Sequence, residues 1–141
     1  MKVALCLLAL VAVAYADDKA LAKFKGQVVV AKEAPPSTAG ELPKYLDDNW
    51  VKDGHYALLG GSPWHMNIVA VLAKDADKAT LVFTDPDKKP MEEVEVTVKG
   101  RLVVTHVQAT KAAGFEAHKI YGVTIKQGDA VLAKADVMLR E

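Results

Sequence analysis

Two alternating segments joined by a short turn decide the fold of this chain. Residues 118–140 read HKIYGVTIKQGDAVLAKADVMLR. Apolar and polar residues alternate on both sides of Gln127-Gly128-Asp129, the pattern of strands that bury one face. A glycine in so short a connection is typical of a β-hairpin. The segments 118–126 and 130–140 are therefore predicted to form an antiparallel pair.

The same pattern extends back toward the N-terminus. Further strands are predicted at 24–31, 55–59, 64–74, 79–84, 94–98 and 102–108. The 64–74 segment is apolar on both faces, which indicates a central strand. Turn signals that recur roughly every ten residues favour a sandwich or barrel over alternating strand and helix units.

One helix is predicted among these strands. Four large apolar or aromatic residues share a helical face: Leu42, Tyr45, Leu46 and Trp50. Pro43 is compatible with a first helical turn, and Lys52-Asp53-Gly54 ends in the glycine that commonly follows a helix. We therefore expect a mainly β domain of about seven strands with one inserted short helix.

A tyrosine lies near the start of the first hairpin strand. Residues 113–125 read AGFEAHKIYGVTI, a small turn, then Tyr121, then alternating apolar residues. This stretch resembles the last strands of immunoglobulin-like and fibronectin type III-like domains, in which Tyr121 would be the tyrosine-corner residue. The resemblance covers the last third of the chain and implies a disulfide-free, immunoglobulin-like β-sandwich over residues 17–141. The chain is also similar to small exported bacterial proteins of unknown function, which implies a compartment and no activity.

The first sixteen residues have the pattern of a secretory signal. Lys2 precedes an unbroken apolar run from Val3 to Val13, and Ala14-Tyr15-Ala16 places small residues at the cleavage site. The run is shorter than the about 20 apolar residues of a spanning helix. We expect cleavage after Ala16 and a periplasmic or secreted domain with no membrane span.

Removal of this leader would restrict the chemistry of the domain. Cys6 is the only cysteine of the chain, so the 125 residues after Ala16 contain no disulfide and no thiol. They carry 17 basic and 18 acidic residues. This balance gives no basic excess for binding nucleic acid.

The sequence contains no catalytic or cofactor motif. Ser37 and Ser62 are the only serines, and neither lies in a nucleophile-elbow pattern. Gly60-Gly61 lacks the flanking residues of a phosphate-binding loop. We expect no enzyme and no cofactor, with a hydrolase acting through carboxylates as one alternative.

Four histidines are candidate metal ligands: His55, His65, His106 and His118. No two of them have the spacing of a metal motif, so surface or hydrogen-bonded histidines are expected. His55 and His65 are the first pair to consider, because a tight turn at Gly60-Gly61 could bring their strands side by side.

A recognition surface is a second hypothesis for the same region. The only two tryptophans, Trp50 and Trp64, flank its least regular segment. Tryptophan is enriched at binding interfaces but is also a common core residue, and the apolar alternation after Trp64 favours the core for that residue. The candidate surface comprises Trp50, His55, Trp64 and His65.

These observations favour a non-catalytic binding or interaction module outside the cytoplasm, with an unidentified protein or small ligand as its partner. The alternatives are a small periplasmic metal or ligand carrier and a structural component of the cell envelope. Lys134, Asp136 and Arg140 in the final strand are charges of the kind that protect an exposed sheet edge. A monomer is therefore expected.

Overall fold

The structure is a computed structural model that describes residues 6–9, 21–52 and 54–141. Its strands are β1 (Cys6–Ala9), β2 (Gln27–Ala31), β3 (Tyr56–Leu58), β4 (Trp64–Val71), β5 (Lys78–Thr84), β6 (Pro90–Thr97), β7 (Leu102–Ala109), β8 (Ile120–Gln127) and β9 (Ala130–Leu139). The α-helix α1 (Leu42–Asn49) and the 3-10 turns Ala22–Phe24 and Ala39–Glu41 lie between these strands. The prediction of a mainly β chain with one short helix is confirmed.

The nine described strands form one sheet that folds over so that its two halves share a core. In the first half, β4 lies between its antiparallel partners β2 and β7. In the second half, β8 lies between β5 and β9, and β6 pairs with β5. The halves join where Gln27 of β2 pairs in parallel with Lys134 of β9. The short β3 also pairs in parallel with β9.

The core lies between the two halves and follows the alternation of the strands. Met66 and Ile68 of β4 and Val123 and Ile125 of β8 are fully buried in one apolar cluster. Complete burial of a side chain of this size contributes about 1.5–3 kcal/mol. Seven of the eight β4 residues are buried and His65 alone is exposed, so the prediction of a central strand is confirmed.

The predicted hairpin is present, and Tyr121 anchors it. Gly128 and Asp129 join β8 to β9, and Gly128 has a φ of +60°, which glycine adopts without steric cost. The Tyr121 ring is buried, and its hydroxyl oxygen accepts a hydrogen bond from the Glu116 N–H at 2.7 Å. A hydrogen bond between the tyrosine hydroxyl and the backbone a few residues upstream defines the tyrosine corner.

The final strand lies inside the sheet rather than at its edge. β9 pairs with β8 on one side and with β2 and β3 on the other. The prediction that Lys134, Asp136 and Arg140 protect an exposed edge is therefore wrong. Lys134 and Asp136 are exposed because one surface of an antiparallel sheet can face water. The charged residues of β9 therefore no longer support the expectation of a monomer.

The predicted leader falls mostly outside the described residues. Of residues 1–16, the structure describes only 6–9, which form β1 and pair antiparallel with β7. Cleavage after Ala16 stays a prediction. In the described ranges, no helix combines the length and the hydropathy needed to cross a bilayer.

Candidate functional site

His65 of β4 and His106 of β7 lie together on the outer surface of the first half of the sheet. Successive side chains of a strand point to opposite faces, and the buried Trp64 and Met66 flank His65. The antiparallel register places His106 opposite Asn67 and Gln108 opposite His65, so the two histidines are diagonal neighbours. Their rings stack at 28° with centroids 5.4 Å apart. Nδ1 of His65 lies 3.3 Å from Nε2 of His106.

Asn67 fixes the tautomer of His106. The Asn67 amide nitrogen donates a hydrogen bond to the Lys32 carbonyl oxygen at 3.1 Å, so the Asn67 amide oxygen must face the other way. That oxygen lies 3.2 Å from Nδ1 of His106 and can only accept. Nδ1 of His106 therefore carries the hydrogen, and its Nε2 presents a lone pair toward His65.

The electrostatics of the pair favour a neutral His106 ring. Partial burial, and then the neighbouring His65, hold the pKa of His106 below its ordinary value of 6.5. Burial disfavours the charged form of a histidine, and a second imidazolium nearby disfavours it further. A neutral imidazole is the form that binds a metal ion.

The distance between the two ring nitrogens matches that of two ligands on one ion. Two nitrogens bound at about 2.0–2.1 Å in a tetrahedral arrangement lie roughly 3.3–3.4 Å apart. In the metal-free protein the same separation allows a hydrogen bond that His65 Nδ1 donates to His106 Nε2. Among the described residues, no group of three His, Cys, Asp or Glu side chains could hold a metal ion together. A metal at this pair would therefore keep open coordination positions.

His65 pairs with His106 and not with His55. β3, which follows His55, pairs with β9, whereas β4 pairs with β2 and β7. The turn at Gly60-Gly61 therefore does not bring the strands of His55 and His65 side by side, and that expectation is wrong. His55 is half-buried, and His118 is exposed.

The two tryptophans have different environments. Trp64 is 1% exposed, and its Nε1 donates to the Arg140 carbonyl oxygen at 2.8 Å, so its predicted core position is confirmed. Trp50 follows α1 and packs edge-on against Phe24, with ring centroids 5.0 Å apart. Of the four residues of the candidate surface, only His65 is well exposed to solvent.

Sequence reasoning did not connect His65 with His106 and Asn67. One signal was available: His65 and Asn67 share the outer face of the predicted strand 64–74, and His106 lies in the strand 102–108. Only the pairing and register of these two strands bring the three side chains together. That pairing spans about forty residues of chain and depends on the whole fold rather than on local pattern.

The topology defines the class of protein. The order of strands along the sheet matches that of an immunoglobulin-like sandwich. In this order β2, β4 and β7 occupy the positions of strands A, B and E, and β5, β8 and β9 occupy those of strands C, F and G. Tyr121 at the start of β8 supplies the tyrosine corner of strand F. The chain is thus an immunoglobulin-like β-sandwich with α1 and β3 inserted between its first two strands.

Comparison with solved structures gives a match of low structural similarity. The chain is similar to an immunoglobulin-like protein from Pseudomonas aeruginosa, with 15% sequence identity and a TM-score of 0.38 over 67% of this chain and 85% of that one. No family model matches the chain, and no curated protein matches it.

Proposed function

We propose that this protein is an exported, non-catalytic binding module that holds a divalent metal ion such as zinc between His65 and His106. The observation that carries the proposal is the 3.3 Å separation of the two facing ring nitrogens. The orientation of Asn67 supports it, because metal-bound histidines usually donate their other ring N–H to a fixed acceptor. Export rests on the leader pattern of residues 1–16.

The geometry favours zinc over copper(II). Neighbouring ligands in a square-planar copper(II) site, at about 2.0 Å from the ion, lie roughly 2.8 Å apart. The observed pair would have to close by about 0.5 Å for that geometry, whereas tetrahedral zinc needs no such movement. Copper(II) still binds nitrogen ligands more strongly in general, so the preference for zinc is a geometric one.

Metal binding at this site needs only one proton to move. In the hydrogen-bonded state, His65 carries its hydrogen on Nδ1, which faces His106. For metal binding this hydrogen moves to Nε2 of His65, an exposed residue that water can reach. Both rings stay neutral, and water or a second molecule would complete the coordination. Two protein ligands suit a module that takes up and releases an ion.

Calorimetric titration of zinc into untagged, chelator-stripped protein tests the proposal. We expect one ion per chain with a Kd of roughly 1–100 μM, equivalent to about 5.5–8 kcal/mol. His106→Ala and His65→Ala should each abolish saturable binding. His55→Ala and His118→Asn should leave it unchanged; asparagine is chosen for His118 because it tolerates that residue's φ of +66°.

Two outcomes would contradict the proposal. One is the absence of saturable zinc binding to the wild-type protein at millimolar zinc. The other is equal weakening by His55→Ala and His106→Ala, which would indicate scattered surface histidines rather than a site. Circular dichroism of each variant separates loss of the site from loss of the fold.

A further inference from the structure

A polar cavity lies mainly on the second half of the sheet, away from the histidine pair. Its volume is about 410 Å³. Its wall is formed by the outer surface of β5, β8 and β9, with Gln27 of β2, Lys88, and the four residues Val51, Lys52, Gly54 and Tyr56. His65, His106 and Asn67 are not among its lining residues. Any ligand of this cavity would therefore be bound independently of the histidine pair.

Hydroxyl groups line the floor of the cavity. Thr84 of β5 pairs with Gly122 of β8, and Thr124 lies two residues further along β8. A Cβ atom at Gly122 would overlap Oγ1 of Thr84. Glycine inside a strand often marks a place where another group approaches the backbone. Here it lets the Thr84 hydroxyl lie across the floor of the cavity.

Three lysines from separate parts of the chain surround this floor: Lys52, Lys88 and Lys134. Asp136 is the only acidic residue among the lining residues that the structure describes. Within the described part of the chain, none of the three lysines is in an ion pair. The cavity therefore has an excess of positive charge, although the whole chain has a formal net charge of +0.

The loop that carries Lys88 is held by its own hydrogen bonds. Lys88 has a φ of +66°, and its N–H donates to the Asp85 carbonyl oxygen at 2.8 Å. The Asp85 carboxylate accepts hydrogen bonds from the N–H groups of Asp87 and Lys89 at 2.9 and 2.8 Å. Aspartate side chains commonly stabilise turns by hydrogen bonds of this kind. The backbone position of Lys88 is thus set before any ligand binds.

We propose that this cavity binds a small polycarboxylate. Separate ammonium groups around a floor of hydroxyls match an anion whose charges are spread over several carbon atoms. Phosphate sites usually combine their cations with an arginine fork, a glycine-rich loop or a helix N-terminus, and none of these is among the described lining residues. The hydroxyls of Thr84 and Thr124 can donate to carboxylate or hydroxyl oxygens of the ligand.

Titration of tricarballylate into metal-free protein at low ionic strength tests this inference. Amide chemical shifts of Gly122 and Thr124 should move saturably, and the uncharged triamide of the same acid should leave them unmoved. Lys134→Gln should weaken binding roughly two- to fivefold, the range for one exposed ion pair. The triple change Lys52→Gln, Lys88→Gln and Lys134→Gln should abolish binding.

Lys126→Gln is the matched control, because Lys126 lies on β8 outside the cavity. Equal weakening by Lys126→Gln and Lys134→Gln would show general charge attraction and overturn the inference. It would also be overturned if inorganic phosphate bound in the cavity as tightly as tricarballylate, or if no saturable shift appeared. Because the protein is metal-free, none of these results depends on zinc binding at His65 and His106.

Discussion

The amide oxygen of Asn67 lies 3.2 Å from Nδ1 of His106, the ring nitrogen that does not face His65. Asn67 is 5% exposed and is itself held by the Lys32 carbonyl. A backbone group of the chain after β2 thereby sets the tautomer of a histidine on β7. This connection distinguishes an oriented histidine pair from two histidines that are merely close.

Replacement of Asn67 should weaken zinc binding without removing a ligand. Asn67→Ala is expected to raise the zinc Kd about tenfold, at the lower end of what loss of a histidine-orienting group costs. Asn67→Asp keeps an acceptor for the His106 N–H but loses the donor to the Lys32 carbonyl oxygen, so it should restore only part of the affinity. Calorimetry on both variants checks this, with Gln108→Ala as a control on the same surface. Equal affinity of Asn67→Ala and wild type would show that Asn67 does not position His106.

Gly122 should be replaceable only when Thr84 is shortened. Gly122→Ala places a Cβ against Oγ1 of Thr84 and should lower the free energy of unfolding by about 1–2 kcal/mol, as overpacking does. Adding Thr84→Ala removes the clashing oxygen and should recover most of this loss. Denaturant unfolding of the single and double variants measures the coupling. Strictly additive effects would show that the two residues do not contact.

Thr105→Val should not destabilise the core. Thr105 is 3% exposed, and its hydroxyl oxygen is buried with no hydrogen-bond partner among the described residues. Valine has nearly the same shape and removes the unsatisfied group, so stability should be unchanged or rise by up to about 1 kcal/mol. Thermal or denaturant unfolding tests this, with Thr97→Val on the exposed side of β6 as control. A loss above about 1 kcal/mol would mean that the Thr105 hydroxyl has a partner.

Tyr45 should make stability sensitive to alkaline pH. Burial, and then the negative charge of Glu33, raise the pKa of Tyr45 to about 12 from its ordinary value of 10.0. Between these pH values the unfolded chain loses the phenol proton while the folded chain keeps it, so the free energy of unfolding falls as pH rises. Below pH 10.0 this ionisation has no effect.

Tyr45→Phe isolates this contribution. The variant loses the hydrogen bond from the Tyr45 hydroxyl to the Glu33 carbonyl oxygen, which should cost about 0.5–1.5 kcal/mol near neutral pH. The difference in stability between wild type and variant should then narrow as pH rises toward 12. Denaturant unfolding of both proteins across this range checks the trend. A constant or widening difference would contradict the raised pKa.

Local pattern predicted most of the fold. The hairpin at Gly128, the central strand from Trp64 and the helix at Leu42 all follow from residue spacing and turn chemistry, because neighbouring residues determine them. The position of β9 inside the sheet could not be predicted from residue spacing or turn chemistry. Its partners β2 and β3 are distant in sequence, and no local pattern specifies which strands meet.

The candidate site was predictable only in part, for the same reason. His65 was identified as a candidate ligand from its residue type and its position in an alternating strand. Its neighbour His106 depends on the register between β4 and β7, in which a shift of one residue would turn every side chain to the opposite face. The charges of Lys134 and Asp136 are visible in the sequence, but their place on a water-facing surface follows only from the internal position of β9 in the sheet.

The most direct test of the account is the state of the four imidazole nitrogens of His65 and His106, read by long-range proton–nitrogen NMR with and without zinc. In metal-free protein, His106 should carry its hydrogen on Nδ1. With one equivalent of zinc, the metal-dependent shifts should fall on Nε2 of His106 and Nδ1 of His65, with the His65 hydrogen on Nε2. Shifts on His55 and His118, or a His106 hydrogen on Nε2 in the metal-free protein, would contradict the proposed site.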